Sequence, residues 1–183
     1  MGGTERRNHG IVCAVKRIFF LLILISVLPL TGCNGDELSV DMSKIVTDTN
    51  APPTDFPAEV ARANSENKLL LLEFGSSDAC PPCVLFQQKV FSTPEFKAFA
   101  ASNLDFVRLD FPMKVDLRPD TVATNVLLSR QFDALGFPTF VAIGKDGKEF
   151  WRMPKNDSEG LDSSLFEPTN FIHLITQLRK EEK

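Results

Sequence analysis

The sequence is poor in side chains that bind metals or act as bases at neutral pH: its 183 residues include two histidines, four cysteines and no tyrosine. His173 is the only histidine beyond residue 32, and it falls opposite the apolar stripe of a predicted helix, which argues against a cysteine-histidine protease. A tetrahedral zinc site takes four ligands. Only two cysteines and one histidine remain free if Cys13 is cut off with an N-terminal leader and Cys33 carries a lipid. A c-type haem site takes a histidine directly after a Cys-x-x-Cys pair, and Val84 stands there instead. We therefore expect no metal and no other cofactor.

The sequence also lacks an apolar run of the roughly 20 residues that cross a membrane comfortably. Its longest run spans residues 18–30 and is broken only by Ser26 and Pro29. The run follows four basic side chains, Arg6, Arg7, Lys16 and Arg17. It ends in small residues before Cys33, a pattern that resembles a lipoprotein signal, in which the cysteine thiol receives a diacylglycerol and the chain is cut before it. An ordinary cleaved signal and an uncleaved anchor are the alternatives.

Positive charge is scarce once this leader, residues 1–32, is removed. The remaining chain keeps 16 of the 20 basic and 23 of the 24 acidic side chains, a net charge of −7. That balance argues against nucleic acid as a partner and against electrostatic binding to anionic lipid, so the lipid on Cys33 would provide the anchor. Residues 33–53 are polar, contain Pro52-Pro53 and are predicted to be a tether, with a folded domain at 54–183. By resemblance to enterobacterial sorting, Asn34 after the lipid cysteine slightly favours the outer membrane.

The stretch that carries chemistry is Cys80-Pro81-Pro82-Cys83. It follows an apolar segment at 68–74 with a buried-strand pattern, and it precedes a helix-like segment at 84–91. A strand, a turn, a Cys-x-x-Cys and a helix form the setting of a redox pair, because the helix N-terminus stabilises a thiolate on the first cysteine. Cys13 leaves with the leader and Cys33 carries lipid, so only this pair remains. A static disulfide is the alternative interpretation.

Strands and helices alternate through the rest of the chain. We predict helices at 55–67, from a capped start at 92–95 onward, at 120–132 with Asp120 as its cap, and at 167–180. Strands are predicted at 69–74, 105–110, 139–143 and 148–152, the last two joined by a hairpin turn with Asp-Gly at its centre. In the predicted helix at 120–132, Val122, Val126 and Leu127 are spaced for burial. This order predicts an α/β fold with a central mixed sheet flanked by helices.

The Cys-Pro-Pro-Cys motif, with Gly136-Phe137-Pro138-Thr139 some fifty residues later, resembles the thioredoxin family, and in particular an exported bacterial lipoprotein branch of it. The likeness runs in order along residues 69–152. It implies a thioredoxin-like fold and a thiol–disulfide oxidoreductase. In this family Cys80 would attack a substrate disulfide and Cys83 would resolve the mixed disulfide. The chain departs from the family at Ala79, where a tryptophan that contacts substrate is usual.

Three further residues gain roles from this resemblance. Pro138 is expected to be cis and to face the cysteines, and the backbone of Phe137 to pair with an extended substrate. Glu73 is expected to exchange a proton with Cys83, with Arg108 on the neighbouring strand as its partner. A solvent-exposed Glu73 at the end of the strand is the alternative.

We therefore predict a membrane-tethered oxidoreductase that faces the periplasm and acts as a reductant, since no histidine between the cysteines over-stabilises the thiolate. Its partners would be protein thiols and disulfides and a redox protein that supplies electrons. The alternative is a binding module of the same fold, or a Cu(I) or thiol chaperone without turnover, because a cysteine pair also suits Cu(I).

Overall fold

The computed structural model describes residues 47–153 and 161–182, and the predicted leader, Cys33 and most of the predicted tether lie outside them. Five α-helices and four strands occur there, in the order α1 (Phe56–Glu66), β1 (Leu69–Gly75), α2 (Pro81–Phe86), α3 (Pro94–Asn103), β2 (Leu104–Asp110), α4 (Pro119–Gln131), β3 (Thr139–Ile143), β4 (Glu149–Arg152) and α5 (Pro168–Glu181). A π-helical segment, Gln87–Phe91, continues α2, and a 3-10 turn, Ser163–Phe166, precedes α5. None of the described helices is both long and apolar enough to span a bilayer.

The four strands form one mixed sheet in the order β2-β1-β3-β4. β1 pairs in parallel with β2 and antiparallel with β3, and β3 pairs antiparallel with β4. The connection from β1 to the parallel β2 runs through α2 and α3, as a parallel pair requires. The predicted fold class, a mixed sheet flanked by helices, is confirmed.

The side chains of β1 alternate between two cores, one on each face of the sheet. Leu69 and Leu71 pack with α2, α3, α5 and the π-helical segment, in a cluster rich in phenylalanine. Leu70, Leu72 and Phe74 pack on the other face with α1 and α4. Because β1 is central and buried on both faces, its sequence is a nearly continuous apolar run.

Two predicted helix boundaries rest on capping groups that the structure contains. Asp55 accepts a hydrogen bond from the backbone N–H of Ala58 at the start of α1, and Asn67 ends that helix in the left-handed conformation. Thr93 accepts from Phe96 N–H at the start of α3, where Pro94 occupies the first turn.

The prediction for α4 was wrong in two respects. Its N-cap is Arg118 and its first turn begins at Pro119, so Asp120 lies inside the helix. Val122 and Leu127 are exposed and Val126 is half-buried. The buried face consists of Thr121, Asn125 and Leu128, at spacings of four and three.

The buried polar residues of α4 donate hydrogen bonds to backbone carbonyls of other segments. Thr121 Oγ1 donates to Ala51 O at 2.8 Å, and Asn125 Nδ2 donates to Asp110 O at 2.9 Å. A polar side chain with its bonds made is tolerated in a buried position, which an apolar spacing rule does not detect.

The predicted boundary at residue 53 between tether and domain stays a prediction. Residues 47–53 bond to the domain: Thr47 Oγ1 and Ser77 Oγ are 2.6 Å apart, and Ala51 O accepts from Thr121. The end of the predicted tether therefore lies against the turn that carries the cysteines.

Candidate redox site

The turn between β1 and α2 is held by hydrogen bonds to its own side chains and to β2. Ser76 Oγ accepts from Ala79 N–H at 3.1 Å, and Ser77 N–H donates to Asp110 Oδ1 at 2.8 Å. Where β2 ends, the N–H of Phe111 donates to Gly75 O at 2.8 Å. These bonds fix the backbone that leads into the cysteine pair.

Cys80 and Cys83 form a disulfide at the N-terminus of α2, with their Cα atoms 5.3 Å apart. Cys80 is the N-cap, and its Sγ accepts a hydrogen bond from Cys83 N–H at 3.3 Å. Pro81 and Pro82 carry no N–H, so the N–H of Cys83 is the first helical donor available to that sulfur. Cys80 is 6% exposed and Cys83 is 1% exposed, which makes Cys80 the more accessible of the two. Ala79 beside it is exposed.

Glu73 lies two residues before the end of β1, the strand that leads to this pair, and is 1% exposed, so the alternative of an exposed strand-end charge is wrong. Its Oε2 accepts from Arg108 Nε at 2.5 Å, as predicted for the neighbouring strand. Arg108 also donates to Gln87 Oε1 in the π-helical segment, and its guanidinium lies 5.6 Å from the ring centre of Phe91. Arg108 thus connects β1 to the π-helical segment that continues the helix of the cysteines.

The other carboxylate oxygen of Glu73, Oε1, is buried and has no hydrogen-bond partner among the residues that the structure describes. A β-carbon placed on Gly75 would lie 3.2 Å from Cys83 Sγ and 3.3 Å from Glu73 Oε1. The sulfur and the unpartnered oxygen therefore border the same small space, which is open because residue 75 has no side chain. A buried polar atom without a partner is rare in folded proteins and calls for a functional or structural reason.

Burial raises the pKa of Glu73 above the 4.5 of an exposed glutamate. The charge and hydrogen bond of Arg108 act in the opposite direction, and the nearby negative charge of Asp110 adds to the rise. The net effect moves the pKa of Glu73 toward neutral pH. A group transfers protons most effectively when its pKa lies near the pH at which the protein works.

The peptide bond between Phe137 and Pro138 is cis, as the resemblance implied. Thr139 pairs with Phe74, so Pro138 lies beside Gly75 at the same end of the sheet as the disulfide. Phe137 is 41% exposed, and its ring stacks on Phe111 with centroids 5.1 Å apart. The structure thus brings Glu73, both cysteines and the cis-proline segment to one end of the sheet.

Sequence reasoning missed Asp78 and Gly75. Asp78 Oδ1 and Oδ2 accept from the N–H groups of Met113 and Lys114, each at 2.8 Å, and so attach the loop after β2 to the cysteine turn. No local sequence signal indicated this contact, because its partners lie 35 and 36 residues further along the chain. The space above Gly75 likewise depends on where α2 packs.

Comparisons with known proteins agree with this geometry. The Thioredoxin-like family matches residues 51–144. The chain is 28% identical over 120 residues to the disulfide bond reductase DsbH of Chlamydia pneumoniae, covering 66% of this chain and 71% of the relative.

Two solved structures share the fold. One, described as DsbH oxidoreductase, is 24% identical with a TM-score of 0.56, covering 79% of this chain and 97% of its own. A disulphide isomerase from Xylella fastidiosa Temecula1 is 18% identical with a TM-score of 0.53, covering 74% and 98%. With its mixed sheet, its cysteine pair at a helix N-terminus and its cis-proline segment, this chain belongs to the thioredoxin-like family.

Proposed function

We propose that this protein is a thiol–disulfide oxidoreductase of the cell envelope that reduces disulfides in other proteins. The observation that carries the proposal is the Cys80–Cys83 disulfide at the N-terminus of α2, with the more exposed sulfur on Cys80. A relative named as a disulfide bond reductase supports the same direction of reaction.

The reaction begins from the reduced pair. The Cys80 thiolate attacks one sulfur of a substrate disulfide, which forms a mixed disulfide and releases the other substrate sulfur as a thiolate. The Cys83 thiolate then attacks Cys80 Sγ and releases the second substrate sulfur. Two electrons pass from the pair to the substrate, which leaves as two thiols, and the Cys80–Cys83 disulfide remains. A dithiol protein that returns two electrons completes the cycle.

Glu73 is the group that takes the proton from Cys83 in the second step. Within residues 47–153 and 161–182 its Oε1 has no hydrogen-bond partner, and it borders the space above Gly75 that Cys83 Sγ also borders. Arg108 holds the carboxylate by Oε2 and leaves Oε1 free for this exchange. Phe137 and Pro138 lie at the same end of the sheet, where an extended substrate chain would pass Cys80 and Ala79.

The place of action is the periplasmic side of a membrane, with the outer membrane slightly favoured. The basic leader, the apolar run and Cys33 support a lipid anchor, and residues 33–53 would connect it to the domain. An exported chain would also meet disulfide substrates, since disulfides form and persist outside the reducing cytoplasm.

Insulin reduction with a small dithiol as electron donor tests the activity. The wild type should turn over and Cys80→Ala should be inactive. Cys83→Ala, reduced and then separated from the dithiol, should form a mixed disulfide with insulin that a gel without reductant resolves. Full turnover by Cys80→Ala would overturn the proposal.

Mass spectrometry of the membrane fraction tests the anchor, because lipidation adds a diacylglycerol to Cys33 and Cys33→Ser should leave the protein unmodified.

A further inference from the structure

We infer that Gln87 is a positioning residue of the redox site, which holds the guanidinium of Arg108 on one oxygen of Glu73. The inference rests on the proposed function, because that arrangement leaves the other oxygen of Glu73 to take the proton of Cys83. Gln87 acts through Arg108 rather than on the reacting atoms.

The helix that begins at the cysteines places Gln87 beside the ion pair. Gln87 follows Cys83 by four residues, and residues four apart lie on the same face of an α-helix. It is the first residue of the π-helical segment that continues α2. From this position its Oε1 accepts a hydrogen bond from Nη1 of Arg108. One helix therefore carries both the resolving thiol and an acceptor for the cation beside Glu73.

Ser92 fixes the orientation of the Gln87 amide. In the π-helical turn the backbone N–H of Ser92 donates to the backbone O of Gln87 at 2.9 Å, which brings these two residues together. Gln87 Nε2 then donates to Ser92 Oγ, also at 2.9 Å. Because a guanidinium can only donate, Arg108 needs the amide oxygen, and the bond to Ser92 turns that oxygen toward it.

A second anchor matters for Arg108 because this residue lies at an edge of the sheet. Within the described residues β2 pairs with β1 alone, and the side chain of Arg108 is 34% exposed. A partly exposed ion pair gains little on its own, since water competes for it and a long side chain loses rotamer freedom when it is held. Gln87 and the ring of Phe91, whose centre lies 5.6 Å from the guanidinium carbon, hold the cation from the helix side. They offset part of that loss before Arg108 bonds to Glu73.

The charges around Glu73 give the direction of the effect. Arg108 favours the carboxylate, whereas burial and the negative charge of Asp110 raise the pKa of Glu73. Both charged residues lie on β2, and the residue opposite Glu73 on β3 is the uncharged Phe140. The neighbouring group on α2 is Cys83, which titrates only when the pair is reduced. An Arg108 that is held less firmly should therefore raise the pKa of Glu73 further.

A double-mutant cycle on the full chain tests the inference, with the pKa of Glu73 measured by NMR titration of its side-chain carboxyl carbon in the disulfide form. Gln87→Met removes the acceptor and keeps the length of the side chain. It should raise that pKa by about 0.3–0.7 pH units, the size expected when a partly exposed ion pair loosens. In an Arg108→Met background the same substitution should add nothing, because its effect passes through Arg108. In the reduced protein, the pH dependence of mixed-disulfide decay should move upward by the same amount.

A second variant and a matched control accompany the cycle. Ser92→Ala removes the group that orients the amide and leaves the Gln87, Arg108 and Glu73 side chains in place, so it should raise the pKa of Glu73 by a smaller amount. Gln131→Met makes the same chemical change at an exposed position at the end of α4, and it should leave that pKa unchanged.

An unchanged or lowered pKa of Glu73 in Gln87→Met would overturn the inference, as would a rise of equal size with and without Arg108. Neither result depends on turnover, so both would leave the proposed function standing. Failure of the wild type to reduce insulin would instead overturn the proposed function.

Discussion

Arg108 donates from Nε to Glu73 Oε2 at 2.5 Å across two parallel strands, with the arginine side chain 34% exposed and the glutamate 1% exposed. Arg108 is therefore in contact with solvent, whereas Glu73 is enclosed near the cysteines. Such a pair can stabilise a buried carboxylate while the second oxygen, Glu73 Oε1, has no hydrogen-bond partner in the described part of the chain.

Glu73→Gln should slow the second chemical step. An amide cannot take the proton of Cys83, and general base catalysis contributes about 10²–10⁴-fold. Rapid-quench measurement at neutral pH should show the mixed disulfide accumulating, and the defect should shrink toward alkaline pH, where a thiol with an ordinary pKa of about 8.5 ionises unaided. Glu59→Gln, which removes a carboxylate paired with Arg62 on α1, is the control. An unchanged rate of mixed-disulfide decay in Glu73→Gln would remove Glu73 from the mechanism.

Arg108→Met should shift the pH dependence of that same step upward. The cation lowers the pKa of Glu73 against the effect of burial, so its loss raises that pKa further. Arg108→Lys keeps the charge and should shift the profile less. The pKa can be followed by NMR of the Glu73 side-chain carboxyl carbon. A profile that moves to lower pH in Arg108→Met would contradict the assigned sign.

The wild type should lose stability relative to Glu73→Gln as pH rises above about 4.5, the pKa of an exposed glutamate. In that range the unfolded chain releases its proton while the folded carboxyl, with its raised pKa, keeps it, so a higher pH favours the unfolded state. The loss should stop once pH passes the folded pKa. Urea unfolding of both proteins from pH 4 to pH 8 measures the difference. A difference independent of pH would show that the pKa of Glu73 is not raised by folding.

Gly75→Ala should impair the site and cost about 1–3 kcal/mol of unfolding free energy. The new β-carbon would lie 3.2 Å from Cys83 Sγ and 3.3 Å from Glu73 Oε1, tighter than most β-carbon contacts, so the disulfide or the carboxylate would have to shift. Gly144→Ala is the matched control, since its β-carbon would meet no atom closer than 3.4 Å. Thermal unfolding and insulin reduction measure the two effects, and equal values for both variants would refute the close approach.

Phe171→Ala should destabilise the domain by about 3–5 kcal/mol, because it leaves a cavity in a packed aromatic cluster. The ring of Phe171 lies 5.6 to 5.9 Å from the rings of four other residues, Phe86, Phe91, Phe96 and Phe140. Phe150→Ala, at a position 38% exposed, should cost much less. Comparable losses in the two variants would mean that this cluster is not the main core.

Much of the fold could be predicted because its signals are local. The caps at Asp55 and Thr93 and the turn at residues 144–147 depend on residues a few positions apart, and the apolar run of β1 reflects burial on both faces of the sheet. The buried face of α4 could not be predicted. Thr121 and Asn125 are buried and donate to backbone carbonyls 70 and 15 residues away, contacts that periodicity does not record.

The candidate site likewise has one part that the local sequence predicts and one part that depends on how distant segments pack. The sequence by itself determined that two cysteines begin a helix directly after a buried strand, because spacing and helix geometry act within a few residues. Only the tertiary structure decided that Glu73 is buried with one free oxygen beside Cys83, that Gly75 keeps the space between them open, and that Asp78 attaches residues 113 and 114 to the cysteine turn. Each of those arrangements joins distant segments, and their positions follow from how strands and helices pack rather than from any one stretch of chain.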